Sequence, residues 1–454
     1  MGFIHNIMMN LPEVAGPTQK RLSFKEKLKW TLIILVLFYI MGVIPILGLG
    51  ENQLQQFEYL SIILGASFGS IISLGIGPLV TASIVLQLLN GSGLIKFDLT
   101  TSDGKKNFQA IQKLMGLFFI VFEACIYVLM GGLAPLEGVP AWVLILQLTI
   151  GGILILFMDE VISKWGFGSG ISLFIAAGVS QSIFIRALSP LPSPTNPSIA
   201  SGAIPALFQS LAVGDPQTAA LNIAAILSTI FVFVISVYGQ AMKIEIPLSF
   251  GRVRGHGIRW PLNFIYTSNI PVILVAALMA NIQLWARLLE RWGHPILGTF
   301  IGNTPATGLV AWIYSPDIVG TLIRGNFTPW LLGQASVYMF FMIVGSVIFS
   351  IFWVQTAGMD AKSQAKQIMA SGLQIPGFRK DERILERLLN RYIWPLTVMG
   401  GIAVGFLAAS ADLTGALSRG TGILLSVMIV YNLYEEIAKQ HMMDMHPMMR
   451  KFME

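Results

Sequence analysis

Few side chains in this sequence stand in a pattern that supports covalent or metal chemistry. The GASFG stretch at residues 65–69 matches the GxSxG nucleophile elbow, but that turn needs a strand before it and a helix after it, and neither is predicted. No phosphate-binding loop or dinucleotide fingerprint is present. The histidines lie outside the apolar runs, without metal-ligand spacing on any predicted helix: His5, His256, His294, His441 and His446. We therefore expect no catalytic residue, no cofactor and no metal, in a protein that is not an enzyme.

Polar side chains inside apolar runs are the other candidates for a functional site. Glu123 is the one carboxylate that the sequence places deep within such a run. A buried carboxylate normally faces a cavity or finds a hydrogen-bonding partner. Thr81 and Asn281 lie in two other runs, so a cluster of the three groups would join distant parts of the chain. A proton relay is the alternative, but relays usually contain several carboxylates or histidines, and Glu123 stands alone.

The elements that position these groups follow from the composition. Of 454 residues, 54% are hydrophobic and 11% are charged, against roughly 25% charged in a soluble domain. This excludes an ordinary soluble enzyme, and apolar runs of about 20 residues predict membrane-spanning helices, which satisfy their own backbone hydrogen bonds. Ten spans are predicted, at 30–49, 57–91, 111–133, 141–158, 170–188, 219–242, 265–286, 330–356, 392–411 and 421–438.

Charge gives the orientation of these spans. If the loops alternate sides, 24 of the 29 Lys and Arg residues lie on the side of both termini. This asymmetry predicts a multi-pass protein of the cell membrane with both termini in the cytoplasm. Residues 1–29 form a cytoplasmic segment whose apolar residues between 3 and 11 recur at helical spacing, which predicts a short helix on the membrane surface. An unstructured tail is the alternative.

The ten spans divide into two sets of five. Because each set has an odd number of spans, the second set would be inverted in the membrane relative to the first. Residues 30–190 form the first half and 219–438 the second, with an external loop at 191–218 and a cytoplasmic tail at 439–454. Pro78 and Pro271 occupy matching places early in the second span of each half. Because glycine and proline are common in membrane helices, such matches also arise by chance. If the repeat is real, the working site lies between the halves.

The second predicted span, 57–91, is too long for one crossing. Glycine and serine crowd its first part, and interrupted helix at membrane depth is tolerated only inside protein or beside a cavity. We therefore predict a re-entrant helix near 57–70 inside a pore. A single helix kinked at Pro78 is the alternative.

Two long cytoplasmic loops, 243–264 and 357–391, carry most of the basic residues that lie between spans. Guanidinium groups bind phosphate through forked hydrogen bonds, so these loops predict docking of a phosphate-rich or acidic partner. Orientation charge and lipid headgroup contact are the alternative explanation.

Several long blocks of this sequence resemble the SecY family, the channel subunit of the protein-conducting Sec translocon, in its archaeal form. They include SLGIGPLVTASIVLQLL at 73–89, EIPLSFGRVRG at 245–255, NIPVILVAALMANIQLW at 269–285 and GTGILLSVMIVYNLYEE at 420–436. The resemblance implies an all-α polytopic membrane protein, with ten transmembrane helices in two inverted halves around a central pore and a re-entrant plug helix. It implies a passive channel for secretory and membrane proteins. An inverted-repeat secondary transporter is the alternative, and it would need polar coordination at the helix break.

The resemblance also assigns residues to roles. The implied hydrophobic pore ring is Ile76, Val80, Ile171, Ile175, Ile273 and Leu425. The implied polar cluster of a lateral gate is Thr81, Glu123 and Asn281. The implied plug, at about 54–70, includes Leu60, Ile63, Leu64, Gly65 and Ser67. The implied ribosome-docking residues are Arg252, Arg254, Arg259, Arg379, Lys380 and Arg383.

The same resemblance implies several partners. These are a SecE-type and a small beta-type subunit that complete a heterotrimer, the ribosome, nascent polypeptides bearing signal sequences, membrane lipid, and higher oligomers of heterotrimers. The external segment 291–332 has no match that we can assign from the sequence.

Overall fold

The computed structural model describes residues 12–19, 22–52, 66–91, 94, 95, 97, 102–192, 199–250, 257–267, 270–302, 304–370, 373, 374, 381–418 and 420–445. The described residues are mainly helical. Their helices are α1 (Phe24–Val43), α2 (Gly77–Gly91), α3 (Ser102–Leu129), α4 (Ala141–Trp165), α5 (Gly170–Leu188), α6 (Ala203–Val213), α7 (Pro216–Ala241), α8 (Ile270–Arg291), α9 (Gly308–Trp312), α10 (Ile318–Ile323), α11 (Pro329–Thr356), α12 (Ala361–Ala370), α13 (Glu382–Leu413) and α14 (Gly420–Met445).

Ten of these helices correspond to the ten predicted spans. By length and composition, eight of the described helices can cross a membrane: α3, α4, α5, α7, α8, α11, α13 and α14. The other two are α1, which has a charged first turn, and α2, which has only 15 residues. The first five spans are α1 to α5, and the second five are α7, α8, α11, α13 and α14. The predicted external loop at 191–218 contains helix α6 and the first residues of α7.

The second predicted span is broken, as its length required. Residues 66–76 form turns, and α2 begins only at Gly77, with Pro78 in its first turn. Proline is tolerated there because the first N–H groups of a helix have no intrahelical acceptor. The alternative of one helix kinked at Pro78 is therefore wrong. Of the predicted re-entrant helix at 57–70, residues 57–65 lie outside the described residues, and 66–70 are not helical.

A central cluster of buried apolar side chains, which extends in sequence from Ile34 on α1 to Ile429 on α14, joins the two halves. Phe38 on α1 stacks on Phe174 on α5, with ring centroids 4.6 Å apart. The cluster also contains residues of α2, α4, α7, α8, α11 and α13. The core is therefore shared between the two halves.

Strands form where the chain leaves the helices. β1 (Leu49–Asn52) pairs with β2 (Leu133–Pro135), and β5 (Phe300–Ile301) pairs with β6 (Thr304–Pro305). A three-stranded antiparallel sheet has the order β4-β3-β7, formed by β3 (Lys243–Phe250), β4 (Gly257–Asn263) and β7 (Leu373–Gln374). This sheet connects the two long basic loops, because β3 and β4 belong to the first loop and β7 to the second.

Helices α12 and α13 support the three-stranded sheet through an apolar cluster that includes Ile246, Ala365 and Leu389. Lys243, at the start of β3, donates a 2.8 Å hydrogen bond to the carboxylate of Glu435 on α14. This bond raises the pKa of Lys243. The sheet is thus fastened to the helices of the second half.

The N-terminal residues 12–15 form a strap across the ends of α3 and α4. The Val14 N–H donates to the Glu160 carboxylate at 3.0 Å, and Lys164 donates to the Val14 carbonyl at 2.7 Å. Lys113 on α3 pairs with Glu160 on α4 and also bonds the strap backbone. The predicted surface helix, at residues 3–11, lies outside the described residues.

Candidate functional site

The six predicted ring residues come from both halves and meet in the central cluster. Ile76 directly precedes α2 and Val80 lies on it, Ile171 and Ile175 lie on α5, Ile273 lies on α8, and Leu425 lies on α14. Five of them are at most 5% exposed, and Ile171 packs against the same cluster with partial exposure. Branched aliphatic side chains offer an ion no replacement for its hydration shell, so such a set resists ion passage.

Two prolines place two of these residues at equivalent positions in the two halves. Pro78 is the second residue of α2 and Pro271 is the second residue of α8. Each proline is followed two residues later by an aliphatic ring residue, Val80 or Ile273. Just before α2, Gly75 adopts a φ of 56°, a left-handed conformation that other residues rarely take, so the chain can turn there into the helix.

The predicted polar cluster of Thr81, Glu123 and Asn281 is a hydrogen-bonded chain across three helices. The Thr81 hydroxyl on α2 bonds to the Glu123 carboxyl oxygen Oε1 on α3 at 3.0 Å. The Asn281 side-chain amide on α8 donates to the same Thr81 hydroxyl oxygen at 3.0 Å. Glu123 is 1% exposed and Asn281 is 8% exposed, so water is largely excluded. We call these three hydrogen-bonded side chains the polar seam, because they link α2 and α3 of the first half to α8 of the second.

Tyr127 is a neighbour of the polar seam that sequence reasoning missed. It lies one helical turn after Glu123 on α3, on the same face, and is 1% exposed. Its hydroxyl, together with Glu123 Oε2 and Asn281 Oδ1, has no hydrogen-bond partner among the described residues. The spacing of four residues from a buried carboxylate was the signal that could have indicated it.

Other polar residues of the predicted spans serve the fold rather than the seam. Gln147 on α4 exchanges two 3.0 Å hydrogen bonds with the backbone of Leu47, which fixes the chain after α1. Gln112 on α3 donates to the Ser83 hydroxyl on α2 at 2.6 Å. Asn269 lies outside the described residues.

Glu123 is not the one buried carboxylate within the helices, contrary to expectation. Asp412 on α13 is 5% exposed. It accepts hydrogen bonds from the Thr421 N–H at 2.7 Å, from the Tyr338 hydroxyl at 2.5 Å, and from the Thr421 hydroxyl. The predicted span ended at residue 411, two positions before the end of α13, and this error left Asp412 in a loop.

Two cavities open beside the ring residues. One, of about 560 Å³, is lined by Val80, Ile273 and Gln87, among others. The other, of about 720 Å³, is lined by Lys113, Glu160 and other polar residues near the strap. Both are partly lined by Ile171, so this predicted ring residue borders two cavities whose walls mix polar and apolar side chains.

The serines of residues 66–76 hold the turns that precede α2. Ser67 donates to the Gly42 carbonyl on α1 at 3.0 Å, and Ser70 donates to the Ser67 carbonyl at 2.7 Å. Ser73 donates to the Ser70 carbonyl at 2.5 Å. The Ser67 hydroxyl thus has a structural partner, and turns rather than a helix follow it in the described residues 67–76. The other predicted plug residues, Leu60, Ile63, Leu64 and Gly65, lie outside the described residues.

Of the predicted docking residues, the structure describes only part. Arg383 is exposed in the first turn of α13, where its N–H donates to the Asp381 side chain at 2.9 Å. The backbone of Arg259 lies in β4. Arg252, Arg254, Arg379 and Lys380 lie outside the described residues. Within the part of the chain that the structure describes, no group of His, Cys, Asp and Glu side chains could hold a metal ion.

Comparison with known proteins gives consistent matches along the chain. A family model described as SecY matches residues 70–434. The protein translocase subunit SecY of Methanothermobacter thermautotrophicus is 46% identical over 447 residues, which cover 98% of this chain and 96% of that protein.

Two solved structures are also similar to this chain over nearly its whole length. One is described as the structure of a protein-conducting channel, with a TM-score of 0.83 and 43% identity, covering 97% of this chain and 98% of that one. The other is Sec61 in the canine ribosome–channel complex from the endoplasmic reticulum, with a TM-score of 0.80 and 43% identity at the same coverage.

The Thr81 hydroxyl is expected to stabilise the contact between the halves. Thr81→Val keeps the side-chain shape and removes the one group that bonds both Glu123 and Asn281, so their buried polar atoms lose a partner. We expect the free energy of unfolding in detergent to fall by about 1–3 kcal/mol. Thr149→Val on α4 is the matched control, because that half-buried hydroxyl bonds only the Ile145 carbonyl of its own helix. Equal stability losses in the two variants would contradict the role of the seam.

Proposed function

This chain belongs to the SecY family, and from that premise we propose that it forms a passive channel which moves unfolded polypeptides across a membrane and releases apolar segments sideways into lipid. The observation that carries this proposal is the meeting of six aliphatic side chains from both halves in one cluster. The polar seam begins at Thr81, next to the ring residue Val80, and also supports the proposal.

The aliphatic ring would seal the channel by excluding water. It binds no ion and makes no sequence-specific contact with a passing chain, so many polypeptides could use it. Because α2 and α5 belong to one half and α8 and α14 to the other, a relative movement of the halves would widen the ring. The ring and the route by which the channel opens would therefore both lie at the interface between the two halves.

The polar seam would be the closing contact of a lateral gate between α2 and α3 on one side and α8 on the other. A typical intramolecular hydrogen bond contributes about 0.5–1.5 kcal/mol net. A seam of two such bonds is strong enough to favour closure and weak enough for an apolar signal segment to displace. The cavity lined by Val80, Gln87 and Ile273 reaches both walls of this gate.

A plug formed by residues of about 54–70 would rest beneath the ring. Support comes from the serine-rich turns at 66–76, which fasten the end of this segment to α1 and to α2. Because these turns interrupt the second span, the segment before them would lie at membrane depth.

Docking of the ribosome would use the basic loops joined in the three-stranded sheet, with Arg252, Arg254, Arg259, Arg379, Lys380 and Arg383 as contacts. Support comes from the apolar cluster that holds this sheet rigidly on α12 and α13. The similar canine Sec61 structure is a ribosome–channel complex. The driving force for translocation would come from such a partner, since the proposed channel is passive.

The protein would lie in the cell membrane with both termini in the cytoplasm, on the side where its basic residues concentrate. It would assemble with a SecE-type and a small beta-type subunit as a heterotrimer, which could form higher oligomers. An inverted-repeat transporter is less well supported. The broken segment before α2 is held by serine bonds to backbone carbonyls, and aliphatic residues follow Pro78 and Pro271.

Resting ion conductance tests the ring. Replacing Ile76, Val80, Ile171, Ile175, Ile273 and Leu425 by glycine removes the apolar constriction, so purified channels in planar bilayers should conduct ions at rest. Glycine at Leu227 and Ile230, which are exposed on α7, is the control and should leave conductance low. If the ring variant stayed as tight as the parent, the assignment of the ring would be wrong.

Ribosome binding tests the docking surface. Changing Arg252, Arg254, Arg379 and Lys380 to glutamine should weaken co-sedimentation with ribosomes, and the parent's binding should itself fall as salt is raised. Arg186 and Arg324 are predicted to lie on the opposite side of the membrane, so changing them to glutamine should have no effect. Unchanged binding by the first variant across salt concentrations would sink the proposal.

A further inference from the structure

We propose that Asp159 and Asp412 are positioning residues for the aliphatic ring. Each carboxylate belongs to the helix that precedes a ring helix and holds the first turn of that ring helix by a hydrogen bond. The inference rests on the proposed function, because it takes the ring to be the seal of the channel. It adds two residues that neither the sequence patterns nor the family resemblance pointed to.

In the second half, Asp412 joins three helices. It lies in the last turn of α13 and accepts the Thr421 N–H of α14 at 2.7 Å. The Thr421 hydroxyl bonds the other carboxyl oxygen, which also accepts the Tyr338 hydroxyl of α11 at 2.5 Å. Since Thr421 is fully buried, the start of α14 is fixed against two neighbouring helices.

In the first half, Asp159 makes the equivalent bond. It lies near the end of α4 and accepts the Ile171 N–H of α5 at 3.0 Å. Ile171 is itself a ring residue. The neighbouring Glu160 is engaged elsewhere, with Lys113 and with the strap, so Asp159 is the carboxylate that serves α5.

The two bonds end at the same helical position in inverted halves. Ile171 is the second residue of α5, and Thr421 is the second residue of α14. Both helices also begin with a glycine where the preceding helix comes close. A Cβ at Gly170 would lie 2.6 Å from the Asp159 Cα, and a Cβ at Gly420 would collide with the Ala411 carbonyl.

This correspondence is not the product of a shared loop sequence. The bonded pair is separated by 12 residues in the first half and by nine in the second. Matching Gly170 with Gly420 also pairs Ile175 with Leu425, two further ring residues. The same carboxylate–helix hydrogen bond is therefore expected on each side of the membrane, as an inverted repeat requires.

The consequence for the ring follows from helix geometry. Ile175 and Leu425 each lie four residues after the bonded N–H, about 6 Å further along the helix axis. The first N–H groups of a helix have no intrahelical acceptor, so the first turn frays without a cap, and a carboxylate is favoured there by the helix dipole. Fraying of the first turn of α5 would move Ile171 directly. It would also make the position of Ile175 relative to Leu425 in the central cluster less fixed.

An ordinary cap would not have this effect on the ring. Asp215 caps α7 through the N–H groups of Gln217 and Thr218, which follow it closely in sequence. Helix α7 carries none of the six ring residues. Asp215→Ala is therefore a matched control, which removes an aspartate cap from a spanning helix without touching the ring.

The test makes two measurements on the full chain. Resting ion conductance is measured after reconstitution in planar bilayers, and thermal stability is measured on the purified protein. Asp159→Ala and Asp412→Ala should raise resting conductance by roughly tenfold, the scale by which the loss of a helix cap shifts an equilibrium. Asp159→Asn and Asp412→Asn keep an acceptor oxygen and should restore most of the seal, which separates positioning from charge. Asp215→Ala should lower the melting temperature and leave conductance at the parent level.

The inference is overturned if the two alanine variants lose stability as Asp215→Ala does and yet conduct no more than the parent. If an alanine variant does not fold, Asp412→Asn carries the test, because asparagine keeps only one of the two acceptor oxygens that Asp412 uses and should leak measurably more than the parent, though less than about tenfold. The glycine ring variant keeps the two proposals apart. A leaking ring variant with tight aspartate variants refutes only this inference, whereas a tight ring variant refutes the proposed function.

Discussion

Hydrocarbon provides no hydrogen bonds, and this constraint determines where the chain can depart from regular helix. Among the described residues, several irregular segments between helices are held by side chains that replace the missing bonds. Ser67, Ser70 and Ser73 hold the turns before α2, and Gln147 bonds the backbone after α1. Asp412 holds the junction between α13 and α14. These irregular segments are therefore stabilised by side-chain hydrogen bonds, as the helices are stabilised by backbone hydrogen bonds.

A channel for polypeptides must be closed to ions and yet able to part. In the proposed channel, the aliphatic ring residues within the central cluster would close the interface, because such side chains exclude ions without binding the polypeptide that passes. The polar seam adds two hydrogen bonds through a single hydroxyl, that of Thr81, so the loss of one group releases both neighbours. Apolar contact would give the seal. Because only two polar bonds hold the seam, the free energy needed to open it would be small enough for a signal segment to supply.

Much of this fold could be predicted from the sequence, because hydropathy dominates in a membrane protein. The ten helices, the break before α2 and the three groups of the polar seam all follow from apolar length and from the rarity of polar residues inside it. Hydropathy fails where burial is against protein rather than lipid. Helix α13 begins ten residues earlier than predicted, because Leu385 and Leu389 pack under the three-stranded sheet while charged neighbours hide the pattern. Asp412 was missed because the predicted span ended before it and its partners lie on two other helices, whereas the spacing of Tyr127 from Glu123 was visible in the sequence but was not used.

The central claim is that a translocating polypeptide passes through the interface between the two halves, at the level of the ring. Site-specific photocrosslinking from a stalled secretory chain tests this claim most directly, with the probe placed in turn at Val80, Ile175, Ile273 and Leu425. The account predicts crosslinks from these four positions to the mature part of the chain, and none from probes at Leu227 or Ile230 on the exposed face of α7. Crosslinks confined to α7, with none at the ring, would contradict it.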